Sequence, residues 1–179
     1  MVETITIPQD PGWARNVREK AERYVTQHDG CTQSIVATFM EELGIDDPLV
    51  FRAAGAMQGG MLCSLTCGVH SAGILILGLL IGRQKLEQGM DGLFPVVAPA
   101  QDLIARLNQR LGSSSCRELS GVDFTNLEEA MRFIATGENH RCFSLVADGA
   151  EVIATFLQEM AASSQLFRLQ ETAAQPVAR

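Results

Sequence analysis

The stretch from Ala53 to Gly82 carries no charged side chain, and this limits the folds open to the chain. Its second half, Ala72-Gly-Ile-Leu-Ile-Leu-Gly-Leu-Leu-Ile81, is apolar at every helical position, which suits a helix enclosed by other helices or by lipid. The first half holds Gly55, Gly59, Gly60, Ser64, Gly68, Ala72 and Gly73, small residues that let another backbone or a bound group come close. About 20 predominantly apolar residues span a bilayer, and Met61 to Ile81 has that length. The flanks lack a Trp/Tyr belt and a Lys/Arg cluster, and Ser64, Thr66, His70 and Ser71 lie inside the window. The reading is therefore a buried central helix from roughly Ser64 to Gly82, with no membrane partner. Cys63 and Cys67 would sit one helical turn apart near its beginning.

The remaining segments read as cover for that helix. Asp10-Pro11 opens a helix running to His28, with Val17, Ala21, Tyr24 and Val25 inward and His28 as a C-terminal residue facing the helix dipole. Asp29-Gly30-Cys31 opens a second helix, closed by Gly44, and Asp47-Pro48 starts a short third towards Ala56. A Gly/Pro-rich loop from Gln88 leads to Pro99, and Leu103, Ile104, Leu107 and Leu111 form the next amphipathic stripe. Cys116 falls in a loop with one short turn. Thr125 and Glu128 make a capping-box pattern for a helix to Thr136. Asn139 caps the last long helix, to Met160, which puts Cys142 in its first turn. The fold class is all-α: one domain over residues 1–162, a bundle of about six or seven helices around a buried apolar helix. Residues 163–179 read as a loosely held tail.

A chain of 179 residues can bury about 70% of its unfolded surface without a disulfide or structural metal. Its 14 basic and 21 acidic residues give a formal charge of -7, which repels nucleic acid and anionic lipid. The N-terminal residues show no secretory pattern, so the expected compartment is the cytoplasm, where five cysteines stay reduced. They are candidate ligands or redox thiols. At predicted helix starts, Cys31 and Cys142 would be favoured as thiolates. Cys63 and Cys67 lack the spacing of a zinc knuckle or of a thioredoxin-type pair, and no C-x-x-C-H is present, so covalent haem is not expected. Free cysteine is also an ordinary small core residue. His70, three residues after Cys67, and His140, two before Cys142, are further candidates as ligands or proton carriers.

Several spaced pieces occur in a fixed order: Cys31-x-Gln33, Glu41-Glu-Leu-Gly44, Gly59-Gly-Met61, Cys67-Gly68, Gly73-Ile-Leu-Ile-Leu-Gly78, Cys116-Arg117-x-Leu119-x-Gly121, and Cys142 before Val146-Ala-Asp-Gly-Ala150. In this order the chain resembles the C_GCAxxG_C_C family of redox-active proteins, from about Tyr24 to Leu157. Val69 stands in place of the family's alanine and Ala72 in place of its glycine, with Gly73 one position later. The family is similar to the iron-centre domain of split-Soret cytochromes. The resemblance implies a helical fold in which Cys31, Cys67, Cys116 and Cys142 gather around iron or an iron-sulfur cluster, leaving Cys63 as an additional thiol.

Three functions remain open on the residues. One is electron transfer or redox sensing through an iron-sulfur or iron centre, exchanging electrons with a partner protein or a small-molecule carrier. A second is a metal-free thiol/disulfide redox protein, in which Cys63 could resolve a disulfide. The third is a helical interaction domain with incidental cysteines. Four thiolates also suit zinc, and a homo-oligomer is left open.

Overall fold

The uncharged run does not form one helix. In the computed structural model, which describes residues 5–163, it divides into a 3₁₀ turn at Gly55–Met57, an irregular turn at Gly60–Ser64 and a helix that begins only at Gly68. Gly59, Gly60, Met61, Leu62 and Ser64 all have positive φ. Left-handed backbone costs about 1–2 kcal/mol at a residue with a Cβ, so three non-glycine residues in that region need external support. Ser64 supplies part of it: its buried hydroxyl donates to Val122 O at 2.8 Å and accepts from Phe124 N at 2.7 Å. Cys63, expected one helical turn before Cys67, is instead exposed on this turn.

Eight α-helices occur among the described residues, with no strand beyond an isolated antiparallel bridge between Thr66 and Ser115. They are α1 (Trp13–His28), α2 (Cys31–Glu42), α3 (Pro48–Ala54), α4 (Gly68–Ile81), α5 (Gly89–Leu111), α6 (Cys116–Ser120), α7 (Leu127–Ala135) and α8 (Arg141–Ala162). The fold is all-α, as the periodicity predicts. The short turn at Cys116 becomes the additional helix α6. Residues 164–179, most of the expected tail, lie outside the described residues.

Helix α4 packs against α2, α5 and α8, and α1 lies across α8 and α2. Its core face comprises Val69, Ala72, Gly73, Ile76, Leu77, Leu80 and Ile81. The opposite side reaches the surface at Ile74 and Gly78, so the helix is covered by neighbours on most sides rather than all. Gly73 marks a close approach, since a Cβ there would meet Ile153 of α8 and Leu103 of α5 at 3.3 Å. Arg18 of α1 pairs with Asp148 of α8, which Arg110 of α5 also reaches at 3.2 Å. In α1 the inner stripe is Trp13, Val17, Ala21 and Val25; Tyr24 sits at its edge and donates from its hydroxyl to Glu41.

Local differences follow from side-chain hydrogen bonds. Asp10 closes the turn before α1 by accepting from Gly12 N, so the helix proper starts at Trp13. The expected loop before Pro99 is helical from Gly89, with Pro95 and Pro99 inside α5. Each proline removes one helical bond, in a stretch exposed enough at Asp91 and half-exposed at Pro95 for water to reach the backbone. Asn126, not Thr125, caps α7, accepting from Glu128 N and Glu129 N. Asn139 lies in a 3₁₀ turn before α8 and does not cap it.

Candidate functional site

Four of the five cysteines line one cavity of about 600 Å³. Each stands where a helix begins: Cys31 is the first residue of α2, Cys67 the residue before α4, Cys116 the first of α6 and Cys142 the second of α8. The expected first-turn placement of Cys31 and Cys142 is present. For Cys67 and Cys116 the same placement follows from a backbone tie. Cys67 N donates to Ser114 O at 2.8 Å and Cys116 N to Leu65 O at 2.6 Å, so residues 65–67 and 114–116 run side by side and deliver two cysteines together.

Glycines make the convergence sterically feasible. A Cβ on Gly68 would overlap Cys31 Sγ and Thr32 Oγ1, which places the α2 thiol against the backbone beside Cys67. A Cβ on Gly60 would come within 2.7 Å of Cys116 Cβ. The left-handed turn at 59–64 therefore clears space beside Cys116 while Ser64 anchors it.

Burial governs the thiols' acidity. It pushes the Cys67 thiol up to about 12, with the neighbouring Cys31, Cys116 and Cys142 adding in the same direction and the Val69 amide opposing. Burial likewise raises Cys142 to about 12, and Cys116 to about 11 against the pull of the Ser120 hydroxyl. The thiolate expected at Cys142 from its first-turn position is thus corrected: burial, with Cys31 and Cys116 nearby, raises the thiol against the pull of Arg141, and it is neutral near pH 7. All five cysteines are free. Among the described residues, no three His, Cys, Asp or Glu side chains stand as a single-ion site.

Both candidate histidines fall outside the cavity wall. His70 is fully buried on α4, where Nε2 faces Asn108 Oδ1 at 3.0 Å and Nδ1 has no partner. Burial lowers its pKa, partly offset by Asn108. His140 is exposed and packs its ring against Phe143, with centroids 4.9 Å apart. Cys63 does not line the cavity either. Sequence reasoning did not nominate the groups that complete the wall, among them Gln58, Phe124, Asn139 and the α7 stripe Leu127, Ala130, Met131 and Ile134. That stripe was readable as i, i+3, i+4, i+7 spacing. Its facing partner was not.

No helix among the described residues is long and apolar enough to cross a membrane. No curated protein and no solved structure matches the chain. The model of the family described as "Putative redox-active protein (C_GCAxxG_C_C)" matches residues 30–156, a span that holds all four cavity cysteines, and the chain belongs to this family.

Proposed function

We infer that Cys31, Cys67, Cys116 and Cys142 hold an iron-sulfur cluster and that the chain uses it for electron transfer or redox sensing. The observation that supports this most is the convergence of four thiols from four separate elements on one cavity. Four cysteine thiolates are the ligand set of the common clusters, and the bound cluster supplies electron chemistry at a potential set by its surroundings. A cluster spreads its thiolates over several irons, whereas a lone tetrahedral ion draws all four to one point. Helices α2, α4 and α8 point their N-terminal ends to the cavity, where partial positive charge offsets that of an anionic centre. Helix α6, of five residues, adds little.

The metal-free dithiol reading is weaker. The nucleophile in disulfide exchange is the thiolate, and three of these thiols are held neutral by burial. Loading a metal must release those protons.

Anaerobic purification followed by iron and sulfide analysis and a visible spectrum tests the reading. Iron and acid-labile sulfide in near-equal amounts, with visible absorbance, are expected. Alanine at any of the four positions should remove most of the iron, and Cys63→Ser should leave it unchanged. Zinc without sulfide, or iron retention by Cys67→Ala, would overturn the assignment.

A further inference from the structure

The central helix keeps one side uncovered. From Ala72 to Ile81, α4 is apolar at every position, and a helix of that kind belongs in an interior. Helices α2, α5 and α8 nevertheless leave Ile74 and Gly78 at the surface, with Leu75 and Leu79 half-buried beside them. The adjoining side of α5 extends this face. His70 Nε2 of α4 faces Asn108 Oδ1 of α5 at 3.0 Å, and a Cβ on Gly73 would meet Leu103, so the two helices run antiparallel with the Asn108 side of α5 towards α4. Going back from Asn108 in steps of three, four or seven residues, that side carries Ile104, Val97, Leu93 and Met90. Val97 and Met90 are exposed, Ile104 and Leu93 half-buried.

The charges of α5 stand on its other side. Arg106 reaches Glu159 and Arg110 reaches Asp148, both on α8; Asp102 pairs with Arg106, and Asp91 precedes Asp102 by three helical turns. Residues 53–82 carry no charge at all. The outer sides of α4 and α5 therefore form one apolar face without an ionic group, and the turn that holds Arg83, Lys85 and Glu87 borders one end of it. None of these face residues lines the cysteine cavity.

We propose that this face is the contact between two copies of the chain, with their α4 helices crossing near Gly78. Charge favours a second copy. At a net charge of -7 two copies repel wherever charged surfaces meet, and a face without ionic groups lets them join without that cost. Size agrees as well. From Met90 to Ile104 the face is about 21 Å long, and two helices abreast are about 20 Å wide, which gives an area on the order of 400 Å². Half of a homodimer interface measures about 800 Å² and is about two-thirds apolar, so the face supplies most of that apolar part and leaves the polar rim to the turn at residues 83–87. Gly78 has nothing within 4 Å of where a Cβ would stand, which leaves room there for another backbone to come close. An anionic lipid surface fits less well, because helices that lie on membranes carry Lys and Arg along their polar side, and residues 89–105 hold Asp91 and Asp102 with no basic residue.

Sedimentation velocity of the full chain, purified under argon and run over a wide range of concentration, tests the contact. A particle of twice the chain mass is expected, and it should persist at high salt because no ion pair crosses the face. Gly78→Arg and Val97→Arg should each weaken the dimer at least about a hundredfold, since both copies would bring like charges to the crossing. Both positions are exposed in the single chain, and arginine favours a helix more than glycine does, so the circular dichroism of Gly78→Arg should match that of the parent. The urea midpoint of the parent should rise with chain concentration and that of Gly78→Arg should not. Ile134→Arg places the same charge on an exposed apolar position at the cysteine cavity and should stay dimeric. A monomer at every concentration, a dimer that survives both Gly78→Arg and Val97→Arg, or a dimer lost in Ile134→Arg would overturn the contact. A monomer that floats with phosphatidylcholine vesicles would overturn it too and assign the face to lipid.

Discussion

At the scale of single residues, Gly68 is where the site is least tolerant. Alanine normally gains about 0.5–1 kcal/mol over glycine inside a helix, but here its methyl would overlap Cys31 Sγ and Thr32 Oγ1. Overpacking of this kind costs about 1–3 kcal/mol, so Gly68→Ala should lower the denaturant midpoint and the iron content together. His70 gives a pH signature. Its folded-state pKa is depressed by burial, so below the ordinary imidazole value of about 6.5 the unfolded chain takes a proton that the folded chain resists. Stability should therefore fall as pH drops through that value, and His70→Leu should flatten this part of the profile in urea titrations. The first-turn position of Cys31 was legible from Asp29-Gly30 just before it, whereas that of Cys142 came out although Asn139, read as its cap, lies in the 3₁₀ turn before α8. That of Cys67 was not legible, since the left-handed turn before it rests on Ser64 bonding to Val122 and Phe124, residues far away in sequence.

Among elements, the crossing of α4 and α8 carries the tightest constraint. Val69 occupies a position where the family pattern has alanine, and its Cγ1 packs directly where a Cβ on Gly149 would fall. Gly149→Ala should destabilise the chain by about 1–3 kcal/mol. Adding Val69→Ala should recover much of that loss, a coupling that a double-mutant cycle reads directly. Helix α7 depends instead on its cap, and Asn126→Ala should cost about 1 kcal/mol, visible as faster amide exchange in Leu127–Ala135. Helices α1, α2 and α3 were readable from Asp, Pro and Gly at their ends. The first turns of α5 were hidden because Pro95 and Pro99 read as breakers, whereas the preceding turn supports the helix: Gln88 Oε1 accepts from Gln84 N and Lys85 N, and Arg83 Nη1 donates to Gly89 O.

For the molecule as a whole, the buried thiols set an alkaline limit. Thiol values of about 11 to 12 in the folded metal-free chain stand above the unfolded value of about 8.5. Above that lower value the unfolded chain sheds protons that the folded chain retains, so stability should decline as pH rises from about 9 towards 11. Chemical denaturation across that range checks it, and replacing Cys67 and Cys142 by alanine together should reduce the slope. The all-α class was legible because helical periodicity is local. The gathering of the cysteines was legible only through family resemblance, since no spacing between positions 31 and 142 encodes a meeting in space. The four cysteines are delivered by α2, by the tie between residues 65–67 and 114–116, and by α8, which packs along α1. An incomplete chain that ends before α8 lacks one of the four cavity cysteines, one wall of the cavity and the main partner of its first helix. If the four cysteines hold a cluster as proposed, its capture reports that synthesis and folding have finished, and a fragment ending before α8 should retain less iron than the full chain.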